Sequence, residues 1–195
     1  HELYRHSDFD WVITGINSGA NLGQDVLFSG TFGAALTAQL FGIPAIATSL
    51  VGGGTKNDDA QQASHYQMAA NEIVKLITDT PILEACKNLP YHVLNVNIPD
   101  VDSADAIKGR KITALSHSQI ARPVHHVVDP RGRDAYWLSL RKRQRELLTD
   151  DASIESAEIQ MMDDQAVAAG YISVSPVRLH HTPTETLASL SALVL

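Results

Sequence analysis

A short apolar, β-branched run, Trp11 to Ile16 (WVITGI), breaks into glycines and amides and is followed by a helical pattern of small and apolar residues, Thr31 to Phe41 (TFGAALTAQLF). The first run reads as a buried strand ending in a loop, and Gly42 supplies a stop for the helix. Ile43 to Leu50 (IPAIATSL) forms a second apolar strand. Asp58 or Asp59 can then cap a helix running through Ile77, on which Met68, Ile73, Leu76 and Ile77 share one face. Such βαβα alternation favours a parallel sheet flanked by helices, with binding sites at the carboxyl ends of its strands. With 195 residues, 44% hydrophobic and 19% charged, the chain suffices for one such domain spanning 1–195.

The second half has a different texture. His92 to Ile98 (HVLNVNI), Lys111 to Ser116, Ala135 to Leu140 and Gly170 to Val177 read as strands separated by long irregular segments. Asp129-Pro130-Arg131-Gly132 marks a turn, because proline presets φ and glycine tolerates positive φ, and it predicts a projecting hairpin over about 124–140. Thr182-Pro183-Thr184-Glu185 is a capping box with proline at the first helical position, which predicts a Leu- and Ala-rich C-terminal helix.

A formal charge of −7 disfavours binding to duplex nucleic acid, whose affinity comes largely from neutralised phosphates. A small phosphorylated ligand in a local pocket is compatible with it. One cysteine, Cys86, permits neither an intrachain disulfide nor a thiolate zinc site. No apolar stretch approaches the roughly 20 residues of a membrane span, so a cytoplasmic protein is the plain expectation. The chain opens His1-Glu2-Leu3-Tyr4, without an initiator Met or a signal-peptide layout, and a natural start upstream of His1 is expected.

Chemistry concentrates in Thr14 to Thr31, TGINSGANLGQDVLFSGT. Gly15, Gly19 and Gly23 allow close backbone approach or positive φ. Asn17 and Asn21 offer neutral amides that can donate to phosphate or present oxygen to a hard metal ion. Ser29, Gly30 and Thr31 sit where the next helix starts, and there unpaired N–H groups, the helix dipole and two hydroxyls favour an anion. The structural alternative is that the glycines serve packing and that Ser29 or Thr31 is an ordinary N-cap. The spacing matches neither a P-loop nor a GxGxxG fingerprint.

Several blocks in the same order resemble the SurE family of survival proteins. They are Phe9 to Asn17 (FDWVITGIN), Ala20 to Thr31 (ANLGQDVLFSGT), Gly42 to Leu50, and Leu94 to Pro99 (LNVNIP). Asp129 to Gly132 with Tyr136-Trp137 resembles that family's DPRG hairpin, and Asp164, Ala166-Val167 and Gly170 to Pro176 resemble its D-x-A-V and GYVSVTP run. The resemblance implies a Rossmann-like three-layer α/β core with a mostly parallel sheet, assembled as a homodimer or homotetramer. It implies a divalent-metal-dependent (Mg or Mn) phosphatase that hydrolyses nucleoside 5′- and 3′-monophosphates. By position, Asn17 becomes a metal ligand, and Asn21, Ser29, Gly30 and Thr31 hold the phosphate.

The same resemblance implies that most of the metal site precedes His1, since the family's consecutive Asp pair (NDDG) and a further Ser ligand lie upstream of the matching region. One neutral Asn supplies no charge, whereas Mg²⁺ usually takes one or two carboxylates. Two expectations follow: an enzyme whose 195-residue stretch is inactive alone, or a non-catalytic phosphate- or nucleotide-binding remnant.

The other tempting residues read as structural. Asn57-Asp58-Asp59 repeats the N-D-D letters but precedes a helix, where capping accounts for it. Asp150-Asp151 reads as solvated loop, and of Asp163-Asp164 only Asp164 is aligned with the family, in a structural role. Neighbouring histidines on a strand face opposite ways, so His125-His126 and His180-His181 make poor ligand pairs; His180 is left open as a support near the pocket. Cys86 reads as a helix residue on an apolar face, and the run Arg141, Lys142, Arg143 and Arg145 as a solvated face.

Overall fold

The computed structural model describes residues 9–52, 59–117, 120–142 and 161–178. Strands β1 (Val12–Ile13), β2 (Asn17–Ser18), β3 (Ala45–Leu50), β4 (His92–Ile98), β5 (Arg110–Ile112) and β8 (Ile172–Arg178) build one sheet in the order β1-β3-β4-β8-β5, with β2 also on β3. Four of its five strand pairings are parallel and only β4 with β8 is antiparallel. The long helices are α1 (Gly30–Leu40) and α2 (Asp59–Thr78); α3 (Ile82–Lys87) and α4 (Asp163–Ala168) are short. The mixed, mostly parallel sheet with helices is the Rossmann-like α/β arrangement the sequence implied. The C-terminal helix expected after Thr182 lies outside the described residues.

Alternation along the strands sorts two cores onto the two faces of the sheet. Ala45, Ala47 and Val93 face α1 and pack with Val26, Phe32, Ala35 and Ala38. Ile46, Leu50, Leu94, Val96 and Ile98 face the other way, against Ala69, Ile73 and Leu76 of α2 and Cys86 of α3. The strand residues facing α1 are mostly alanine, whereas those facing α2 are branched. Both faces are covered, which is why β3 and β4 are almost wholly buried along their length.

The first strand is interrupted where the sequence suggested continuity. Ile13 pairs with Ile46 and Asn17 with Ser49, four steps against three, so one extra residue is accommodated as a bulge. Thr14 stabilises it: its amide donates to the Ile46 carbonyl (3.0 Å), its Oγ1 accepts from the Thr48 amide, and its carbonyl accepts from the Thr48 hydroxyl (both 3.1 Å). The bulge changes which face the following side chains take. Ile13 and Ile16 both pack into the α2 core, and Asn17 comes out beside Ser49 on the α1 face. Strict alternation from Ile13 would have sent Asn17 the other way.

The remaining strands, β6 (Ile120–Val128) and β7 (Asp134–Lys142), form the antiparallel hairpin expected around Asp129 to Gly132. Its tip is tied by one side chain. Asp129 Oδ1 accepts from the amides of Arg131 (2.8 Å) and Arg133 (3.0 Å), while Oδ2 accepts from Arg133 Nε (2.8 Å) and pairs with its Nη2 (2.7 Å). Arg133's backbone N–H and then its guanidinium hold the Asp129 carboxyl below the 3.8 of a free aspartate. A depressed folded-state pKa means the stabilisation is fully present above the unfolded value and is lost as pH falls through the folded one. Acidification below 3.8 is therefore expected to loosen the tip, read by NMR as a common sub-3.8 midpoint in the Arg131 and Arg133 amide shifts. Asp129→Asn should remove that transition, and its persistence in the variant would refute the assignment.

Candidate functional site

The residues singled out from the sequence lie where β2 leaves the sheet and α1 begins. Asn17 Nδ2 donates to the Gly19 carbonyl (2.9 Å), and Asn17 Oδ1 accepts from the Thr31 hydroxyl (3.1 Å). Gly19, at φ 122°, turns the chain down onto the sheet end, its amide meeting the carbonyls of Leu50 (3.0 Å) and Asn17 (3.1 Å). The chain then runs through a 3-10 turn, Gly23–Phe28, into Ser29.

Ser29 is the N-cap of α1: its Oγ accepts from the Phe32 amide (3.1 Å), and its carbonyl accepts from the Gly33 amide (2.9 Å). These bonds leave the Gly30 and Thr31 N–H groups at the helix start without intrahelical acceptors. Gly30 is exposed, and a Cβ placed there would meet no atom within 4 Å, so the helix start is open to approach. The Ser29 hydroxyl uses its lone pair on Phe32 and keeps its proton to donate. The N-cap expected as a structural alternative is thus present, and the N–H groups next to it stay open.

Asn21 has a different setting. It is only 4% exposed, its Nδ2 donates to Ser49 Oγ (2.8 Å), and its backbone is held by β4. Its amide donates to Asn97 Oδ1 (2.8 Å), and its carbonyl accepts from Asn95 Nδ2 (2.8 Å) and Asn97 Nδ2 (3.0 Å). This places Asn21 beneath the loop as its anchor, in contrast to the open donor expected from the sequence. The anchoring residues Ser49, Asn95 and Asn97 were not singled out beforehand. A signal was available: asparagines two apart within an otherwise apolar strand share one face, and two buried amides on one face require partners.

The other acidic residues and the histidines sort out as follows. Asp163, not Asp164, is the buried member of its pair, with no exposed surface and three backbone N–H groups on its carboxylate; Asp164 is exposed and caps the Gln165 amide (2.8 Å). Asp59 lies exposed in the first turn of α2, while Asn57, Asp58, Asp150, Asp151 and His180-His181 fall outside the described residues. His65 is buried against Asp100 (2.7 Å), and His126 pairs with Asp134 (2.7 Å) on the hairpin. Burial pushes the Cys86 thiol up to about 11, which removes it as a nucleophile at neutral pH.

The described residues offer a divalent metal ion little to bind. Among the described residues no group of three or more His, Cys, Asp or Glu could hold one, and the Asn17 oxygen already accepts from Thr31. One neutral amide oxygen does not fit the needs of Mg²⁺. Beside the helix start lies a cavity of about 420 Å³, bordered by Gly23, Leu27, Ser29, Phe32 and His117. Its size is that of a small-molecule site. Among the described residues no helix is long and apolar enough to cross a membrane.

Comparison with known proteins identifies the family. The family described as Survival protein SurE matches residues 1–122. A protein of Psychrobacter cryohalolentis named 5′-nucleotidase SurE is 75% identical over all 195 residues, which span 72% of its length. One of the same name from Acinetobacter baylyi is 40% identical over 188 residues, covering 96% of this chain and 68% of that protein. The crystal structure of the SurE protein from Aquifex aeolicus superposes with a TM-score of 0.63 at 26% identity, over 98% of this chain and 68% of that one. With a matched model over more than half its length and a relative so close along all of it, the chain belongs to the SurE family.

Proposed function

We propose that the protein is a phosphomonoesterase that hydrolyses nucleoside 5′-monophosphates, and 3′-monophosphates at the same site, to nucleoside and inorganic phosphate. The observation that carries this reading is the open start of α1. Two N–H groups without intrahelical acceptors and the Ser29 hydroxyl proton lie together there at the carboxyl edge of the sheet, beside the Thr31 hydroxyl that donates to Asn17. The relatives' name, 5′-nucleotidase, agrees with it. In this reading Ser29, Gly30 and Thr31 hold the phosphate and stabilise charge on the phosphoryl group as its ester bond breaks. The adjoining cavity has room for the nucleoside.

The described residues contribute Asn17 alone as a candidate metal ligand. Asn21 supports the phosphate site from below and is not assigned a direct contact. The alternative, a module that binds phosphate without cleaving it, draws on the same lack of ligating carboxylates among the described residues. A cytoplasmic setting remains the expectation for either.

Ser29 offers a test that separates anion binding from capping. Ser29→Ala loses the cap and should cost about 1 kcal/mol of stability. Ser29→Asp keeps a good cap yet sets a negative charge against the phosphate. In the full-length protein it should keep the wild-type Tm while raising the inhibition constant of inorganic phosphate about tenfold or more, roughly 1.4 kcal/mol. Unchanged inhibition in Ser29→Asp would defeat the phosphate site, leaving Ser29 a simple cap. The isolated 195-residue chain should show no Mg²⁺- or Mn²⁺-stimulated hydrolysis; chelator-sensitive turnover by it would reveal ligands within its own sequence.

We also propose a homodimer or homotetramer that uses the β6–β7 arm. Val124, Val127, Val128 and Tyr136 are 47%, 41%, 60% and 70% exposed on a two-stranded element, and such a hairpin is marginal in water without something to pack on. Introducing Val128→Asp together with Tyr136→Asp should yield folded monomers by light scattering, because neither side chain supports the domain core. A wild-type protein monomeric at high concentration, or a double variant that still assembles, would refute the arm's role.

A further inference from the structure

We infer that Asp163 is a positioning residue for the phosphate-binding segment, an inference that rests on reading Ser29 to Thr31 as that site. Asp163 is the first residue of α4 and has no exposed surface. Its Oδ2 accepts from the Gly23 amide at 2.6 Å; its Oδ1 accepts from the Ser116 and Asp164 amides, both at 2.8 Å. Its own amide donates to the Ala114 carbonyl (2.9 Å), which fixes the start of α4 beside β5. One carboxylate thus joins three segments, the farthest 140 residues away in sequence.

The bond to Gly23 is the consequential one. Gly23 opens the six-residue 3-10 turn that delivers the chain to Ser29, so its placement sets where α1 begins. Gly23 also lies close against Ser116. Gly23 has φ 56°, and a Cβ there would run into the Ser116 carbonyl oxygen and lie 2.7 Å from Ser116 Oγ. The chain is therefore held by a short charge-assisted bond to Asp163 and by close backbone approach to Ser116.

A buried carboxylate is weak evidence for stability, since apolar packing of equal volume often does as well. Here its bonds run to the loop feeding the helix start, and among the described residues neither oxygen meets an Arg or Lys. What it supplies is geometry. Catalytic and binding groups must be held to within about 0.5 Å, and a misplacement of about 1 Å can cost a hundredfold in rate.

The test compares full-length variants in parallel. Asp163→Asn keeps the shape but turns an N–H-bearing nitrogen toward Gly23 or toward Ser116, so one anchor is lost. Per folded molecule, kcat/KM for a nucleoside 5′-monophosphate should fall about tenfold to a hundredfold, and the inhibition constant of inorganic phosphate should rise with it. Asp164→Asn, one residue away and exposed, should change neither. A lower Tm with unchanged kcat/KM and unchanged phosphate inhibition would overturn the inference and leave Asp163 a structural clamp. Should Asp163→Asn fail to fold, Gly23→Ala displaces the same turn without touching the carboxylate, and its phosphate inhibition decides by the same criterion. Ser29→Asp separates the two readings. If it weakens phosphate inhibition and Asp163→Asn does not, only the positioning role falls; if Ser29→Asp has no effect, the phosphate site falls and the inference with it.

Discussion

Side-chain hydrogen bonds to the backbone of an irregular loop are the interaction on which this site depends. The segment from Gly19 to Ser29 is too irregular to satisfy all its own polar groups, yet part of it is buried on the sheet end, where unpaired backbone groups are costly. Asn97 solves this with both ends of its amide, accepting from the Asn21 amide and donating to the Asn21 carbonyl. Asn95 adds a second donor to that carbonyl, and Asn21 returns a bond to Ser49. Two adjacent strands thereby hold the loop through their side chains, while their own backbones stay in the ladder.

That arrangement accounts for the polarity of β4. One face of the strand carries Leu94, Val96 and Ile98 into the α2 core; the other begins with Val93 under α1 and continues with Asn95 and Asn97 under the loop. The change from apolar to polar along one face marks where helix coverage ends and loop coverage starts. The helix itself begins just beyond, so its N–H groups emerge at the carboxyl edge of β3 and β4, where helices following parallel strands commonly offer anion sites.

Much of this was legible in the residues. The WVITGI run, the small-residue helix, the IPAIATSL strand and HVLNVNI were readable from period and composition, and the helix start at Ser29 to Thr31 from capping chemistry. The break at Thr14 was not, because its cause is a tertiary bond pattern with Thr48, and propensity carries no trace of it. Asp163 was passed over for Asp164 because adjacent carboxylates look alike in sequence; which one is buried depends on how α4 meets Ala114 and Ser116. The short α4 went unread for a related reason, since six residues give too little periodicity to stand out. The anchoring role of Asn21 needed the positions of Asn95 and Asn97, more than seventy residues distant.

The bulge at Thr14 to Ile16 makes the site a matter of parity. Side chains on a strand alternate, so an insertion of one residue exchanges inside for outside for everything that follows. Val12 and Ile13 fill their two cores by counting from the strand's start, whereas Asn17 reaches Thr31 only because the count has been made odd. Two reading frames are therefore superimposed on one strand, the first serving the core and the second the loop. Side-chain substitution leaves that count untouched, but gaining or losing a single residue between Ile13 and Asn17 changes it. The spacing of this segment is thus more constraining than the identity of any one residue in it, with a length constraint concealed in an otherwise ordinary apolar strand.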